Sequence, residues 1–393
     1  MGKRTRRGII AASAAVATAA ALSFGGSAAF AVDPNTPKIP EALDQTLAGT
    51  TGNQASFFRF ASSNRVLTAL FAAQNTNSWG DTAILASSAN YADALASSAL
   101  ADELDAPILL ANADGSLDPQ VGAYLATFDN IIIVSGTGVI PESTKDALVD
   151  SFGVGFNNVF RVSGVNRFET AAAIAVFTYF TGGAIGGTTN FVLADGMNFP
   201  DALAAGPAAA SETNGLVLLT DGPDGVSPFS YALLVGQPVS WTPSATLPVG
   251  FGGQTINWSM TFLGSNVTVV GGAAEEAAGN GLGTPGTAVE YDNAIVGADR
   301  YETAAMVADE YFGSGSTTYT LASGEDFPDA VVGGGWAANA NGPLLLTNNA
   351  WLNHYTEDYL VASADNGDKF VVFGGTGSVS KDVSLTLYED FSF

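Results

Sequence analysis

The amino-acid sequence predicts an α/β fold of three tandem modules, each a parallel sheet covered by helices. Three observations carry that prediction. Four short blocks recur three times in the same order, which marks a repeat architecture. The apolar segments are continuous runs, such as Ile132-Ile133-Val134 and Val217-Leu218-Leu219, as expected of strands buried on both faces. Helix-length stretches separate them, as in the strand Phe191 to Ala194, the helix Asp201 to Ala210 and the strand Leu216 to Thr220. Each repeat therefore reads strand, helix, strand, helix, strand, helix, strand.

Block one opens each repeat. A short strand, Phe58 to Ala61, Val159 to Ser163 or Ala294 to Val296, leads into Asn64-Arg65-Val66-Leu67-Thr68-Ala69, Asn166-Arg167-Phe168-Glu169-Thr170-Ala171 or Asp299-Arg300-Tyr301-Glu302-Thr303-Ala304. Asn64, Asn166 and Asp299 are helix N-caps, and Glu169 and Glu302, three residues on, complete a capping box. Block two follows 28, 34 and 29 residues after the arginine and starts a second helix: Tyr91-Ala92-Asp93-Ala94-Leu95, Phe199-Pro200-Asp201-Ala202-Leu203 and Phe327-Pro328-Asp329-Ala330-Val331. Proline suits the first helical turn and aspartate the positive end of the helix dipole. Block three is a core strand: Ile108-Leu109-Leu110, Val217-Leu218-Leu219 and Leu344-Leu345-Leu346. Block four is an apolar strand ending in a glycine turn, as in Ser135-Gly136-Thr137-Gly138, Gly271-Gly272 and Gly374-Gly375-Thr376-Gly377. A tight strand-to-helix turn accounts for those glycines, with a phosphate cradle as the alternative.

Residues 57–155, 156–291 and 292–393 are repeats one, two and three. Repeat two carries a segment, residues 224–264, rich in Gly, Pro, Ser, Thr and Trp, that reads as a β-rich insertion. Its Phe229, Tyr231, Trp241, Phe251, Trp258 and Phe262 suit self-packing, or else a sugar-stacking or partner-binding surface. Residues 32–56, with Pro34, Pro37 and Pro40, read as a leader. Residues 1–31 run from Lys3, Arg4, Arg6 and Arg7 through an Ala-rich stretch to Ala29-Phe30-Ala31, the order of a secretory signal peptide cleaved after Ala31. Thr5-Arg6-Arg7-Gly8 is a poor twin-arginine match, so general secretion is the expected route.

Composition excludes several function classes. Of the 393 residues 47% are hydrophobic, too many for a disordered chain, and the length suffices for two or three domains. Without the signal segment 9 basic residues face 38 acidic ones, a formal charge near −29, which rules out a nucleic-acid footprint. With no Cys and one His there is no disulfide framework, thiol nucleophile or multi-His metal site. No G-x-S-x-G, H-E-x-x-H, G-x-x-x-x-G-K-S/T or D-x-D pattern occurs. No catalytic, metal or cofactor residue is therefore assigned, and His354 reads as a surface or packing residue. A paired-carboxylate hydrolase has no positive support in the sequence.

The blocks resemble those of the cell wall-binding repeat type 2 family of Gram-positive surface-layer and other cell-wall proteins. Repeats two and three match its D-R-Y-E-T-A, F-P-D-A-L, I-L-L and V-F-G-G-T-G blocks closely; repeat one departs at Val66-Leu67 and Ala92. The resemblance implies three Rossmann-like or toprim-like modules in a pseudo-threefold arrangement that bind an anionic wall polysaccharide or teichoic-acid-like polymer without covalent attachment, at the cell surface of the exporting cell. No sortase-like tail or C-terminal apolar helix is read, so retention is expected to be non-covalent and no transmembrane segment is expected in the mature chain. A self-assembling coat of S-layer type is the rival expectation, and a wall hydrolase the third.

The candidate polymer-binding residues are Arg65, Arg167 and Arg300, three of only five arginines beyond the signal segment. A cation in a first helical turn opposes the helix dipole, so something must offset that cost three times. In one reading each arginine pairs with Asp93, Asp201 or Asp329 of its own or a neighbouring module. In the other it binds a phosphate or carboxylate at the strand's carboxyl end. Calcium bridging carboxylates to polymer phosphates is a further option. Because repeat one matches least well, its Arg65 is expected to matter least.

Overall fold

The computed structural model describes residues 55–76, 79–90, 93–182, 187–239, 241, 246–259, 261–262, 265–313 and 315–391. The signal segment, residues 32–54 of the leader, and Tyr91 and Ala92 of block two lie outside the described residues.

Repeat one folds as β1 (Ser56–Phe60), α1 (Arg65–Gln74), β2 (Thr82–Ser87), α2 (Ser97–Glu103), β3 (Ile108–Ala111), α3 (Pro119–Leu125), β4 (Asn130–Ile133) and α4 (Glu142–Asp150). Repeat two follows with β5 (Val159–Arg161), α5 (Arg167–Thr181), β6 (Thr189–Asp195), α6 (Phe199–Ser211), β7 (Gly215–Thr220), α7 (Pro228–Leu234), the hairpin β8 (Gly250–Phe251) and β9 (Gln254–Thr255), β10 (Ser265–Val270) and α8 (Gly272–Asn280). Repeat three is β11 (Asn293–Ile295), α9 (Arg300–Tyr311), β12 (Thr318–Ser323), α10 (Phe327–Asn339), β13 (Leu344–Thr347), α11 (His354–Ser363), β14 (Lys369–Phe373) and α12 (Lys381–Phe391).

Three four-stranded sheets result, ordered β3-β2-β4-β5, β7-β6-β10-β11 and β13-β12-β14-β1, and every pairing in them is parallel. In each sheet three strands come from one repeat and the edge strand from the next. The short strand before block one thus hydrogen-bonds into its neighbour's sheet, and β1 closes the cycle on β14 with Phe57 opposite Phe370 and Arg59 opposite Val372. Sequence repeat and sheet are out of phase by one strand.

The block-two helices α2, α6 and α10 pack on one another at the pseudo-threefold axis. They are small-residue helices because all sides are buried. Ser98, Gly206 and Gly334, each five residues after its block-two aspartate, meet there: a Cβ on Gly206 would stand 2.7 Å from Ser98, and one on Gly334 would stand 3.0 Å from the Ser98 Oγ. One apolar cluster runs through all three repeats, with two satellites under the outer helices of repeats two and three. No helix among the described residues is long and apolar enough to cross a membrane.

The extra segment of repeat two is less β-rich than its composition suggests. Ser227 caps α7, its hydroxyl accepting from the Ser230 amide, and Pro228 takes the first turn. Among the described residues its β structure is the β8–β9 hairpin and two isolated bridges, Thr246 to Ser163 and Val226 to Thr220. The aromatic side chains pack on the protein itself: Phe251 against Phe160 and Phe177, Trp258 against Phe177 and Trp241, Phe262 against Tyr179 and Phe191.

Candidate functional site at the seams between repeats

Block one is held the same way three times. Asn64 accepts from the Leu67 amide at 2.9 Å, Asn166 from Glu169 at 2.9 Å, and Asp299 from Tyr301 and Glu302 at 2.9 and 3.0 Å. The Glu169 carboxylate reaches back to the Val165 amide at 2.6 Å, and that of Glu302 to Ala298. These contacts fall one residue before the cap, so the two glutamates fasten the incoming loop rather than the cap's own amide. The block-one threonine has a role that the sequence reading missed: Thr68, Thr170 and Thr303 accept from the amides of Ser62, Gly164 and Gly297 at 3.0, 3.0 and 3.1 Å. A hydroxyl six residues after an amide, three times over, was the available signal.

The arginines bridge elements. Nη1 of Arg65, Arg167 and Arg300 donates to the carbonyl of Ser88, Gly196 and Gly324, at 3.2, 2.7 and 2.5 Å. Each acceptor is the first residue beyond β2, β6 or β12, and its carbonyl offsets the repulsion a cation meets at a helix N-terminus. Across each seam the arginine also faces the block-two aspartate of the preceding repeat in the cycle: Asp93 feels Arg167, Asp201 feels Arg300, and Asp329 feels Arg65. That aspartate lies in the neighbouring repeat in all three cases, and Arg167 also lowers Asp195 of its own repeat. Arg65 makes its contact ion pair with Asp326, at 3.3 Å, both side chains about two-fifths exposed at 42% and 44%. Arg300 also lies over the Phe199 ring, 5.9 Å from its centroid.

Burial raises all three aspartates from the ordinary carboxylate value. Asp201 is pushed up to about 6 by burial and by Asp195, with Arg300 opposing. Asp329 reaches about 6 through burial, countered first by the Ser378 hydroxyl, raised further by Asp326, and pulled down by Arg65 and Arg59. Asp93 is raised by burial while the Gly136 amide and Thr170 hydroxyl pull it back. The first glycine of block four closes over this group. Gly271 and Gly374 have φ of +90° and +111°, and a Cβ on them would stand 2.1 Å from Asp201 Oδ2 and 2.8 Å from Asp329 Oδ2.

Two further arginines belong to the seams. Arg59 and Arg161, each six residues before a block-one arginine, donate to the carbonyls of Gly374 and Ser135 at 2.7 and 2.6 Å. Each thereby clamps the block-four turn of the repeat before it. Their shared spacing was visible in the sequence, but Ala294 breaks the pattern in repeat three.

At the seam between repeats three and one the side chains leave a cleft of about 360 Å³, lined by Ser62, Ser63, Asn64, Arg65, Thr68, Asp326, Asp329 and the turn Gly375–Ser378. It lies beyond the carboxyl ends of β12 and β14, where the chain order in the sheet switches direction, the usual ligand position in an open α/β sheet. Asn166, Glu169, Asp299 and Glu302 serve the starts of α5 and α9 instead. The block-three triplets are core: Ile108, Leu109 and Leu110 are at most 3% exposed. His354 begins α11 with its ring on Tyr355.

Repeat one's departure in block one is compensated. Phe168 and Tyr301 lie against Gly196 and Gly324, where a Cβ would stand 2.9 and 2.6 Å from the ring. Repeat one has the smaller Val66 at the ring position and carries Ser88 where the others need glycine.

Three α/β repeats that complete one another's sheets and present the same charged seam three times define a tandem-repeat module closed into a cycle. The chain belongs to the cell wall binding domain 2 (CWB2) family, which matches residues 59–145, 161–275 and 294–384, one segment per repeat. It is 28% identical over 330 residues to N-acetylmuramoyl-L-alanine amidase LytC of Bacillus subtilis (strain 168), covering 84% of this chain and 57% of the amidase. It is 24% identical over 344 residues to the amidase enhancer of the same organism, covering 87% of this chain and 41% of that protein. The chain thus spans about half the length of these relatives. Cwp8 and Cwp6 from Clostridium difficile share the fold, each with TM-score 0.64 and 21% identity; the match covers 85% and 86% of this chain and 51% and 48% of theirs.

Proposed function

We propose that this chain is a secreted, non-enzymatic cell-wall protein that holds an anionic secondary wall polymer, without covalent attachment, through the seams between its three repeats. The observation that carries the reading is the recurrence of an arginine at a strand's carboxyl end and a helix N-terminus in all three repeats. In a chain with 38 acidic residues an anion is held only where cations and helix N-termini concentrate. The raised aspartates help, because a carboxyl that is partly neutral near pH 6 repels an anionic ligand less than an ionised one. Both relatives have amidase in their names, yet the match covers only part of each. The reading assigns this chain the wall binding and not the amide hydrolysis.

Co-sedimentation with purified walls, before and after acid removal of phosphate-linked polymers, tests the reading. Binding should disappear with the polymer and fall in Arg65→Ala, Arg167→Ala and Arg300→Ala, checked for folding. A protein that stays in solution with native walls would sink the reading in favour of an assembly scaffold. Release of soluble muropeptides would make the chain a hydrolase.

A further inference from the structure

The block-four turn of repeat three has glycines that packing does not explain. Gly374 needs its positive φ, but Gly375 and Gly377 lie outside that region, and a Cβ on either would meet no atom within 4 Å. Both line the cleft between repeats three and one. Backbone kept bare where a side chain would fit suits a ligand that approaches closely.

Asp329 adds a second feature of the cleft, an acceptor without a donor. Asp329, only 8% exposed, lines the same cleft; its Oδ2 accepts from the Ser378 hydroxyl at 3.2 Å, while its Oδ1 has no hydrogen-bond partner. A buried acceptor left without a donor is unfavourable, and a ligand hydroxyl is a donor of the right kind. A third observation concerns Arg65, whose Nη2 meets the exposed Asp326 at the cleft's edge. An ion pair so exposed is weak, so Asp326 stands where an incoming acid group would go. The remaining lining, Ser62, Ser63, Asn64, Thr376 and Ser378, is rich in groups that hydrogen-bond to a polyol.

We propose that this cleft is a two-point subsite for a polymer unit carrying an acid group and a hydroxyl a short distance apart. Arg65 takes the acid in place of Asp326, Asp329 Oδ1 accepts from the hydroxyl, and the bare turn lets the unit lie against the backbone. The inference rests on the wall-polymer reading and names the unit recognised. It also reverses the ranking expected from motif fidelity, because Arg65, of the repeat that matches least well, lines this cleft. A phosphate on a polyol and a uronic acid share this chemistry.

The test titrates the full-length protein with a short poly(glycerol phosphate), with an oligoglucuronate and with inorganic phosphate. One of the two oligomers should bind at least tenfold tighter than inorganic phosphate, and which one does identifies the acid. Asp329→Ala should erase that margin, and Arg65→Gln should abolish binding. Asp326→Asn should strengthen binding about threefold, a gain that a merely structural role would not produce. Gly377→Val and Gly375→Ala should block the oligomer while leaving the unfolding midpoint unchanged, so loss of binding cannot be confused with loss of fold. Oligomers no tighter than inorganic phosphate, or full binding by Gly377→Val, would overturn the subsite. If native walls still sediment the protein in that event, the wall reading survives the loss of this inference. If walls fail to sediment it while an oligomer binds through Arg65 and Asp329, the two-point chemistry survives and the wall reading falls.

Discussion

Arg59 and Gly374 stand 315 residues apart in the chain and are joined by a 2.7 Å hydrogen bond from Nη1 to the carbonyl oxygen. The same guanidinium donates to the Val379 and Ser380 carbonyls at 2.8 and 3.1 Å and to the Ser384 hydroxyl. Burial lowers it to about 10, with Asp329 opposing, so it stays charged at neutral pH. This one side chain ties β1 to the turn and helix that follow β14.

Arg59→Met should therefore weaken the closure of the ring. Three carbonyls would lose a donor, and unmade buried bonds of this kind are each unfavourable by about 1–3 kcal/mol, so a loss of roughly 3 kcal/mol is expected. Amide exchange across residues 369–373 should accelerate before that of β2 or β6. Uniform acceleration in all three sheets would show that the seam has no local weakness.

Asp329→Asn should stabilise the protein, and only at neutral pH. The carboxyl sits near 6 in the fold against 3.8 in the unfolded chain, so the folded state binds the proton more tightly. Its favourable contribution is complete below about pH 4 and is lost as the pH rises through 6. Ionised at pH 7.5 it disfavours the fold by an amount on the order of 3 kcal/mol. Asparagine avoids that and can still accept from Ser378. Urea midpoints should rise at pH 7.5 and match wild type at pH 4; equal shifts at both would contradict the assignment.

Gly206→Ala tests the axis. The new methyl would stand 2.7 Å from Ser98, and overpacking of this kind is unfavourable by about 1–3 kcal/mol, more than the gain of up to about 1 kcal/mol from helix propensity. Adding Ser98→Gly should restore most of the melting temperature. No recovery would mean the helices do not meet there.

Gly324→Ser should destabilise through the Tyr301 ring, which a Cβ would approach to 2.6 Å. Combined with Tyr301→Val, which copies the Val66 and Ser88 pair of repeat one, the two changes should couple favourably by about 1 kcal/mol in a double-mutant cycle. Strict additivity would leave repeat one's departure without this explanation.

The α/β character, the strands, the caps and the helix starts were legible because each is written locally: Asn166 before Arg167, Pro200 before Asp201, Leu344 to Leu346 in a run. Helix α7 was legible too in Ser227-Pro228, but the segment's Gly and Trp content obscured it. The exchange of edge strands was not legible. β5 reads the same from sequence whether it pairs with β4 or β6, since strand pairing is decided by packing far from the strand itself. The seam was half legible. The arginines and aspartates stood out by recurrence, while their cyclic pairing, the clamps at Arg59 and Arg161, and the orphaned oxygen of Asp329 depend on contacts between repeats that no spacing encodes.

Lent strands change what a repeat is. In a solenoid, units can be removed one at a time and the rest stands, because each touches only its neighbours in a line. Here, deleting any one repeat would strip an edge strand from one neighbour and orphan the strand lent by the other. The three seams should accordingly be gained and lost together, and a single proteolytic nick that frees β1 or β5 should open every seam at once.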